Sequence, residues 1–474
     1  MNFLSPFTTD LSPVAIIITP IVLVLAAYIV YYRFGHPLSR YPGPVLASFT
    51  NLWKAYQLWT LHMPENLTKL HDNFGGVVRV GPNDLSFNTG GAVFAIYKGG
   101  RSLPKTGFYD GFTTFNPNLF GTKDEDISAD GPWLLISCAS TGGVFDLKEL
   151  IAFFVLDVLG ELAFSRSFDS QTQKCAEKLP PINDHIFFGC LLGMMPEMMP
   201  YLKAMAAWTP LPWLQRLTRS RAQLKNLTAE CVARRLNEKV TGRKDLLTAL
   251  ISAVDPETGE RLTELQINTE AFAMVVAGSH TTSGTLTLLF SHLLRNPAIL
   301  EKVVAEIDTN VCTSFGEPVQ ITGLEQCLPY SMACINENFR INPAFTMPLP
   351  RTVTAPAGTE IDGHWVPKGT AVFSLNHVVH HNPAIWGSDH DIFDPSRFLG
   401  PQAEYFKQNL TPFSVGHRMC IGRNMAMTNI LKTLTTVLKN YTLEMEDPKQ
   451  KISTLSVGIS EKEGPLKCRV KRRY

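Results

Sequence analysis

The chain contains no Cys-x-x-Cys pair, although it carries nine cysteines among 474 residues. Scattered single thiols argue against a disulfide framework and suit a reducing compartment. Net charge is also scarce: the formal balance is +1, and charged residues make up 18% of the chain. That balance offers no basic field for gripping a nucleic acid, so no nucleic-acid partner is expected. Internal repeats and low-complexity tracts are missing too. One local absence stands apart: no Arg or Lys occurs from Asp124 to Asp146. What the chain does have is apolar residues, 45% of the total, enough for a large core. Its length suits one large domain or two to three ordinary ones.

Leu11 to Tyr32 is an uncharged run, and Ala15–Leu25 is almost wholly aliphatic. At about 1.5 Å per residue it reaches about 33 Å, against a hydrocarbon core of about 30 Å. No basic residue precedes it, and it is long for the apolar part of a cleaved leader, so residues 11–32 read as a transmembrane anchor. Arg33, His36 and Arg40 follow the span while only Asp10 precedes it. The positive flank therefore lies C-terminal, which puts a short tail, residues 1–10, across the membrane and the body in the cytosol. His36-Pro-Leu-Ser-Arg-Tyr-Pro-Gly-Pro44 reads as a stiff, non-helical spacer inside a hinge over residues 33–48. Residues 49–474 form the body.

Within the body, Val77-Val-Arg-Val80 followed by Pro82-Asn-Asp84 predicts a short strand and a turn. From about residue 145 helical patterning dominates. The longest helix is expected to run from Thr263-Glu-Leu-Gln266, a capping box, to Asn296-Pro297, where proline stops it. Its middle, Phe272-Ala-Met-Val-Val-Ala277, is apolar nearly all round and must cross the core. There Ala277-Gly-Ser-His-Thr-Thr282 sets a glycine and hydroxyls into an otherwise good helix. That marks either a local opening where something fits or a packing notch with back-bonded threonines. A second helix carries Glu337-Asn-Phe-Arg340, whose spacing puts acid and base on one face. Asp394-Pro-Ser-Arg-Phe398 follows, and Arg397 can join the same network.

The most specific stretch is Phe413-Ser-Val-Gly-His-Arg-Met-Cys-Ile-Gly422, or F-x-x-G-x-R-x-C-x-G. A cysteine on a tight loop between Gly416 and Gly422 can approach a flat macrocycle closely, because glycine tolerates unusual dihedrals. Arg418 can point a fixed cation at a haem propionate. Phe413 can shield the sulfur from water, and backbone N–H groups aimed at it would tune the iron. The pattern suits one thiolate, from Cys420, held against a haem iron.

Together these residues resemble the cytochrome P450 family, in order along almost the whole chain: anchor, Pro-rich hinge, A-G-x-x-T-T helix, E-x-x-R helix, P-x-R-F and the cysteine loop. The Cys420-Ile-Gly-Arg-Asn424 variant and the stretch from Phe164 to Phe168 look most like enzymes of fungal specialised (secondary) metabolism. The resemblance implies a mainly α fold with a small β portion, preceded by a single transmembrane helix. It implies haem b as cofactor with Cys420 as the iron's axial ligand, and Arg418 and Arg351 as propionate partners. Phe413 would be the aromatic shield, and Glu337, Arg340 and Arg397 a structural triad. Thr281 would help deliver protons to dioxygen. Phe112, Phe115, Met274, Val275, Phe345 and Leu455 would shape an apolar pocket. Met194-Met-Pro-Glu-Met-Met199 is either an adaptable entrance lip or a core patch. The implied activity is insertion of one atom of O2 into a lipophilic small molecule, as hydroxylation or epoxidation. Electrons would come from NADPH–cytochrome P450 reductase at the endoplasmic reticulum membrane. The alternatives are a haem-thiolate isomerase or dehydratase, against which Thr281 counts, and a truncated, non-catalytic paralogue or splice form that holds no haem.

Two features depart from the family pattern. An acidic residue usually precedes the helix threonine; here it is His280, which can relay protons near neutral pH or face away from the pocket. The family also carries a basic helix, often with W-x-x-x-R, between the segments resembling Asn118–Glu125 and Phe145–Glu149. A further helix follows that one. Only Asp126 to Val144 stands there, with Ser137 where the arginine after Trp133 belongs, and Asp130-Gly-Pro132 reads as a turn. A deletion near residues 126–144 would remove part of the haem's wall and much of the basic face for a reductase.

Overall fold

The computed structural model describes residues 13–98, 103–112, 143–173, 179–237, 245–315 and 319–473. The segment of the expected deletion, up to residue 142, lies outside them, as does Phe115. The N-terminal apolar run forms helix α1, Pro13–Val30, prolonged by a π-helical turn, Tyr31–Gly35. Ile18–Gly35 is long and apolar enough to cross a membrane, and none of it is buried. The spacer after it rests against the body. Leu38 is fully buried, the Arg79 backbone N–H donates to the Pro42 carbonyl, and Arg79 Nη1 donates to the Tyr32 carbonyl at 2.8 Å. Arg79 is buried within the first strand and has no carboxylate partner among the described residues; its side-chain donors go to the Gly81, Pro82 and Tyr32 carbonyls and the His36 ring, which docks the start of the hinge on the sheet.

Helices α2 (Leu52–Trp59) and α3 (Met63–Phe74) lead into β1 (Val77–Gly81) and β2 (Asp84–Phe87), the strand and turn expected there. Then come β3 (Phe145–Asp146), α4 (Leu147–Phe164), α5 (Ile182–Gly193) and α6 (Pro212–Asn237). The central pair is α7 (Glu264–Gly278) and α8 (His280–Arg295), followed by α9 (Pro297–Asn310) and α10 (Pro329–Ile341). Last are β4 (Arg351–Thr352), β5 (Ala371–Ser374), α11 (Arg423–Asn440), β6 (Tyr441–Met445), β7 (Thr454–Ser456), β8 (Ser460–Lys462) and β9 (Lys467–Arg472). The architecture is mainly α with small sheets.

One sheet has the order β1-β2-β5-β4, with β2 and β5 parallel (Leu85 opposite Val372) and both outer pairs antiparallel. A second joins β3, β9 and β6, all antiparallel. Asp146 ties this sheet to α4: its carboxylate caps the helix by accepting from the Lys148 N–H and also accepts from the Leu466 N–H. Both bonds go to Oδ1 and use the two lone pairs of that oxygen.

The capping box at the start of α7 is present in both directions, with Thr263 accepting from the Gln266 N–H and Gln266 accepting from the Thr263 N–H. The single helix expected from there to Asn296 is divided at Ser279. Its first half packs Ile267, Phe272 and Val275 into a core with Ile186, Leu224 and Phe373. Its second half packs Leu286, Leu289, Phe290 and Leu293 against α4, α10 and α11. An apolar helix that crosses the molecule thus separates two cores and belongs to both.

Candidate functional site

The cysteine loop leads into α11. The Cys420 N–H donates to the Phe413 carbonyl at 2.8 Å and the Met419 N–H to the Gly416 carbonyl at 3.1 Å, closing a tight turn around Gly416–Arg418. Gly416 has φ +78°, and a Cβ there would stand 2.6 Å from the Tyr97 carbonyl oxygen, so only glycine fits. Gly422 differs from the expectation of unusual dihedrals: its φ is −76°, and a Cβ would sit 3.8 Å from the Cys420 sulfur in ordinary contact. Desolvation raises the Cys420 thiol above its usual range, and what Gly422 contributes is its N–H, which opposes that rise in part by favouring the ionised sulfur. Cys420 is exposed and makes no disulfide. Phe413 packs edge-on against Phe339 of α10, with ring centres 5.2 Å apart. Helix α10 therefore supports the loop from below.

Two residues before Phe339 lies Glu337, fully buried, and one residue after it Arg340, equally buried. They form a two-pronged pair, and Arg397 Nε approaches the same carboxylate at 3.5 Å. The Asp394 N–H also donates to Glu337, at 2.9 Å. The three residues singled out by spacing are thus brought together in one buried network. Phe339, on the same helix, joins that network to Phe413 of the cysteine loop.

Arg351 is buried in β4 and Arg418 is exposed on the loop. Arg351 lies over the rings of Tyr97 and Tyr109, 5.3 Å from each centre, and donates to the Tyr109 hydroxyl. Arg418 donates from Nε to the His417 ring at 3.2 Å. Among the described residues neither guanidinium meets a carboxylate. An exposed thiol on a glycine-dependent loop, beside two cations awaiting an anion, fits an iron porphyrin with acidic side groups.

At the break in the central helix the Thr281 hydroxyl donates to the Ala277 carbonyl at 2.7 Å. Gly278 itself is a packing notch, since a Cβ would come within 2.8 Å of Leu159 on α4. The interruption falls one residue later. His280 has a buried Nδ1 with no hydrogen-bond partner among the described residues. Desolvation lowers its pKa, Glu461 of β8 opposes that, and Lys148 of α4 adds to it. Lys148 and Glu461 are themselves paired at 2.6 Å, and Asn183 donates to the same carboxylate. No motif foretold this cluster, because its members come from four distant elements.

The expected pocket residues divide. Phe112, Met274 and Phe345 are half-buried against one core, and Phe345 lines a narrow cleft with Tyr97, Met347 and Ser414 beside the cysteine loop. Val275 is fully buried inside that core and faces no open surface. Leu455 pairs with Glu461 in the β7–β8 hairpin. In the Met-rich stretch Met194 and Met199 are core residues, while Met198 is exposed.

Comparison with known proteins agrees with this geometry. The family model described as Cytochrome P450 matches residues 136–469. The chain is 29% identical to "Cytochrome P450 monooxygenase ORF9" of Penicillium roqueforti, over 93% of this chain and 91% of that protein. It is 30% identical to "Cytochrome P450 monooxygenase ORF11" of the same fungus, over 93% of this chain and 97% of that protein. "Benzoate 4-monooxygenase bphA" of Aspergillus niger is 26% identical, over 92% of this chain and 93% of that protein. The first of these alignments runs over 487 positions, more than the 474 residues of the chain, so part of the relative has no counterpart here. The chain belongs to the cytochrome P450 family, whose members are haem-thiolate oxidoreductases.

Proposed function

We propose that this chain is a membrane-anchored monooxygenase in which Cys420 supplies the thiolate to a haem b iron, acting on a lipophilic small molecule in fungal specialised metabolism. The observation that carries it is the cysteine loop itself, with Gly416 tolerating no side chain and the Cys420 thiol exposed. Bound there, the haem would supply activation of dioxygen, one atom entering a C–H or C=C bond of the substrate and the other leaving as water. The protein's own residues do the rest. Arg351 and Arg418 hold the acidic edge of the group, and Phe413 covers the sulfur side. The Gly422 N–H stabilises charge on sulfur. Thr281, held by the Ala277 carbonyl at the helix break, keeps lone pairs to orient a water and pass a proton into the pocket. His280, the neighbour of Thr281 and under the influence of Glu461 and Lys148, would relay protons toward that hydroxyl. Half-buried Phe112, Met274 and Phe345 give the substrate apolar walls. Helix α1 anchors the chain in the endoplasmic reticulum membrane, and electrons arrive from NADPH–cytochrome P450 reductase.

The test is the absorption spectrum of the reduced, carbon monoxide-treated full chain. A red-shifted thiolate Soret band is expected, and Cys420→Ser should abolish it. A variant that kept the band would remove Cys420 from the role. NADPH turnover with reductase then separates a monooxygenase from an isomerase or dehydratase.

A second reading has its own support. No Arg or Lys occurs from Asp124 to Asp146, and the alignment with the first relative runs over more positions than the chain has residues. On that reading the chain is a truncated form that holds no haem. Absence of any Soret band, together with a transcript confirmed across the codons for residues 120–150, would establish it.

A further inference from the structure

Three cations converge beside the cysteine loop, and one of them belongs to no motif. Lys105 forms an isolated antiparallel bridge with Arg351. Next to it the Thr352 N–H donates to the Pro104 carbonyl at 2.9 Å. The segment around Lys105 is thereby fastened to the free edge of β4. Lys105 Nζ lies 4.8 Å from the centre of the Tyr109 ring, on which Arg351 also rests at 5.3 Å. The charges of Arg351 and Arg418 both act on Lys105 and, after desolvation, lower its pKa. The same two guanidiniums act on Tyr109, which burial nonetheless keeps above the usual phenol range and therefore neutral. Among the described residues no carboxylate pairs with Lys105, Arg351 or Arg418.

Like charges drawn together without a counter-ion repel one another, so an anion completes such a site. The hydrogen-bond direction at Tyr109 points the same way. Arg351 donates to the phenol oxygen, which leaves the phenol's own proton for another acceptor. The sequence also leaves a place to fill, since Ser137 stands where an arginine would follow Trp133.

We propose that Lys105 and Tyr109 bind a haem propionate, Lys105 through its ammonium and Tyr109 by donating its hydroxyl, in place of the arginine that this chain lacks after Trp133. The assignment rests on the haem-thiolate reading and adds two residues to it. Lys105 and Tyr109 lie on the segment that bridges to β4, so the pairing draws residues 103–112 toward the cofactor's edge.

The experiment titrates haemin into the full-length apo-chain in detergent, following the Soret band, and measures haem loss to apomyoglobin. It is repeated with iron protoporphyrin IX dimethyl ester, whose side groups carry no charge. Lys105→Ala should weaken haemin binding about five- to tenfold, a charge-assisted bond lost at a partly exposed site. Tyr109→Phe should weaken it about threefold, as one neutral hydrogen bond. Lys105→Arg should restore affinity, and no variant should alter binding of the ester. Unchanged haemin affinity in Lys105→Ala and Tyr109→Phe overturns the proposal. Equal losses for haemin and ester also overturn it, because they report a damaged pocket. Unchanged haemin affinity with slower reduction by reductase would assign the cluster to an acidic protein partner instead. If the unaltered chain binds neither porphyrin, the haem reading itself fails, a result distinct from all of these.

Discussion

Arg340 grips Glu337 through two hydrogen bonds, Nε to Oε2 at 2.8 Å and Nη2 to Oε1 at 2.7 Å, and neither side chain reaches solvent. The remaining Arg340 donors go to the carbonyls of His380, His390 and Ile392. Every donor is thus engaged, which is what makes burial of this charge tolerable. Phe339, between the two, touches Phe413, so one aromatic contact joins the helix of this pair to the cysteine loop.

Removing one partner of this pair should cost far more than removing both. Glu337→Ala leaves Arg340 charged and buried, and about 3–5 kcal/mol of stability should be lost. Glu337→Leu combined with Arg340→Met should lose less. Thermal unfolding of the full-length chain and of both variants checks the order; a double variant as unstable as the single one would contradict it.

The two loop glycines should respond oppositely to alanine. Gly416→Ala meets both a left-handed φ and the Tyr97 carbonyl, so about 1–3 kcal/mol of strain and a displaced Cys420 are expected. Gly422→Ala faces neither and should keep its Soret intensity. Haem content per protein, measured for both, distinguishes them.

Acid should weaken the fold through buried neutral histidines. His292 accepts from Asn342 Nδ2 at 2.8 Å and stacks on Phe393, and burial, aided by Arg295 and Arg340, pushes its pKa to about 4. A depressed folded pKa contributes stability that is fully present above the unfolded value near 6.5 and lost as pH falls toward about 4. The loss reaches about 3 kcal/mol for this residue at the acid end. His381, also pushed down to about 4, works in the same direction. Urea midpoints at pH 7.5 and 5 should differ in the unaltered chain and differ less in His292→Gln.

His280 should leave its mark on the acid side of the rate profile. Its pKa is depressed, so an inflection due to it falls below 6.5, modulated by Glu461 and Lys148 on the packed elements. His280→Gln should remove that limb and raise the share of NADPH electrons released as hydrogen peroxide. A profile unchanged by the substitution would leave His280 a bystander.

The start of the central helix offers a smaller effect. Thr263→Ala removes the hydroxyl that accepts from the Gln266 N–H, keeps the bond from the residue-263 N–H to Gln266, and should cost about 1 kcal/mol. The fall in melting temperature should exceed that of Thr258→Ala, on the neighbouring exposed turn.

Local chemistry made much of this legible in the sequence. The capping box at Thr263 and the stop before Pro297 depend on side chains within a few residues, and both stand where the spacing puts them. The strand at Val77 follows from β-branched residues ahead of a proline turn. Glu337 and Arg340 share a helix face by periodicity alone. Less legible was the helix break. Gly278 drew attention in the sequence, yet it packs against Leu159 and the interruption falls at Ser279. The contact of Arg79 with Tyr32 and His36 was not legible for a related reason, since the fold alone brings those distant residues to it.

The sequence by itself determined the family, the cysteine and its loop, the helix that carries Thr281, and the acid–base pair of α10, because each is a run of residues acting on near neighbours. Tertiary structure alone decided which distant polar groups meet. Tyr109 and Arg351 are separated by 242 positions, and Lys148 and the Lys462 carbonyl by 314, and no periodicity relates them. Their proximity comes from how the sheet edge at β4 and the α4–β8 contact close in space. Electrostatic fields act through distance rather than along the chain, so only the fold assembles them.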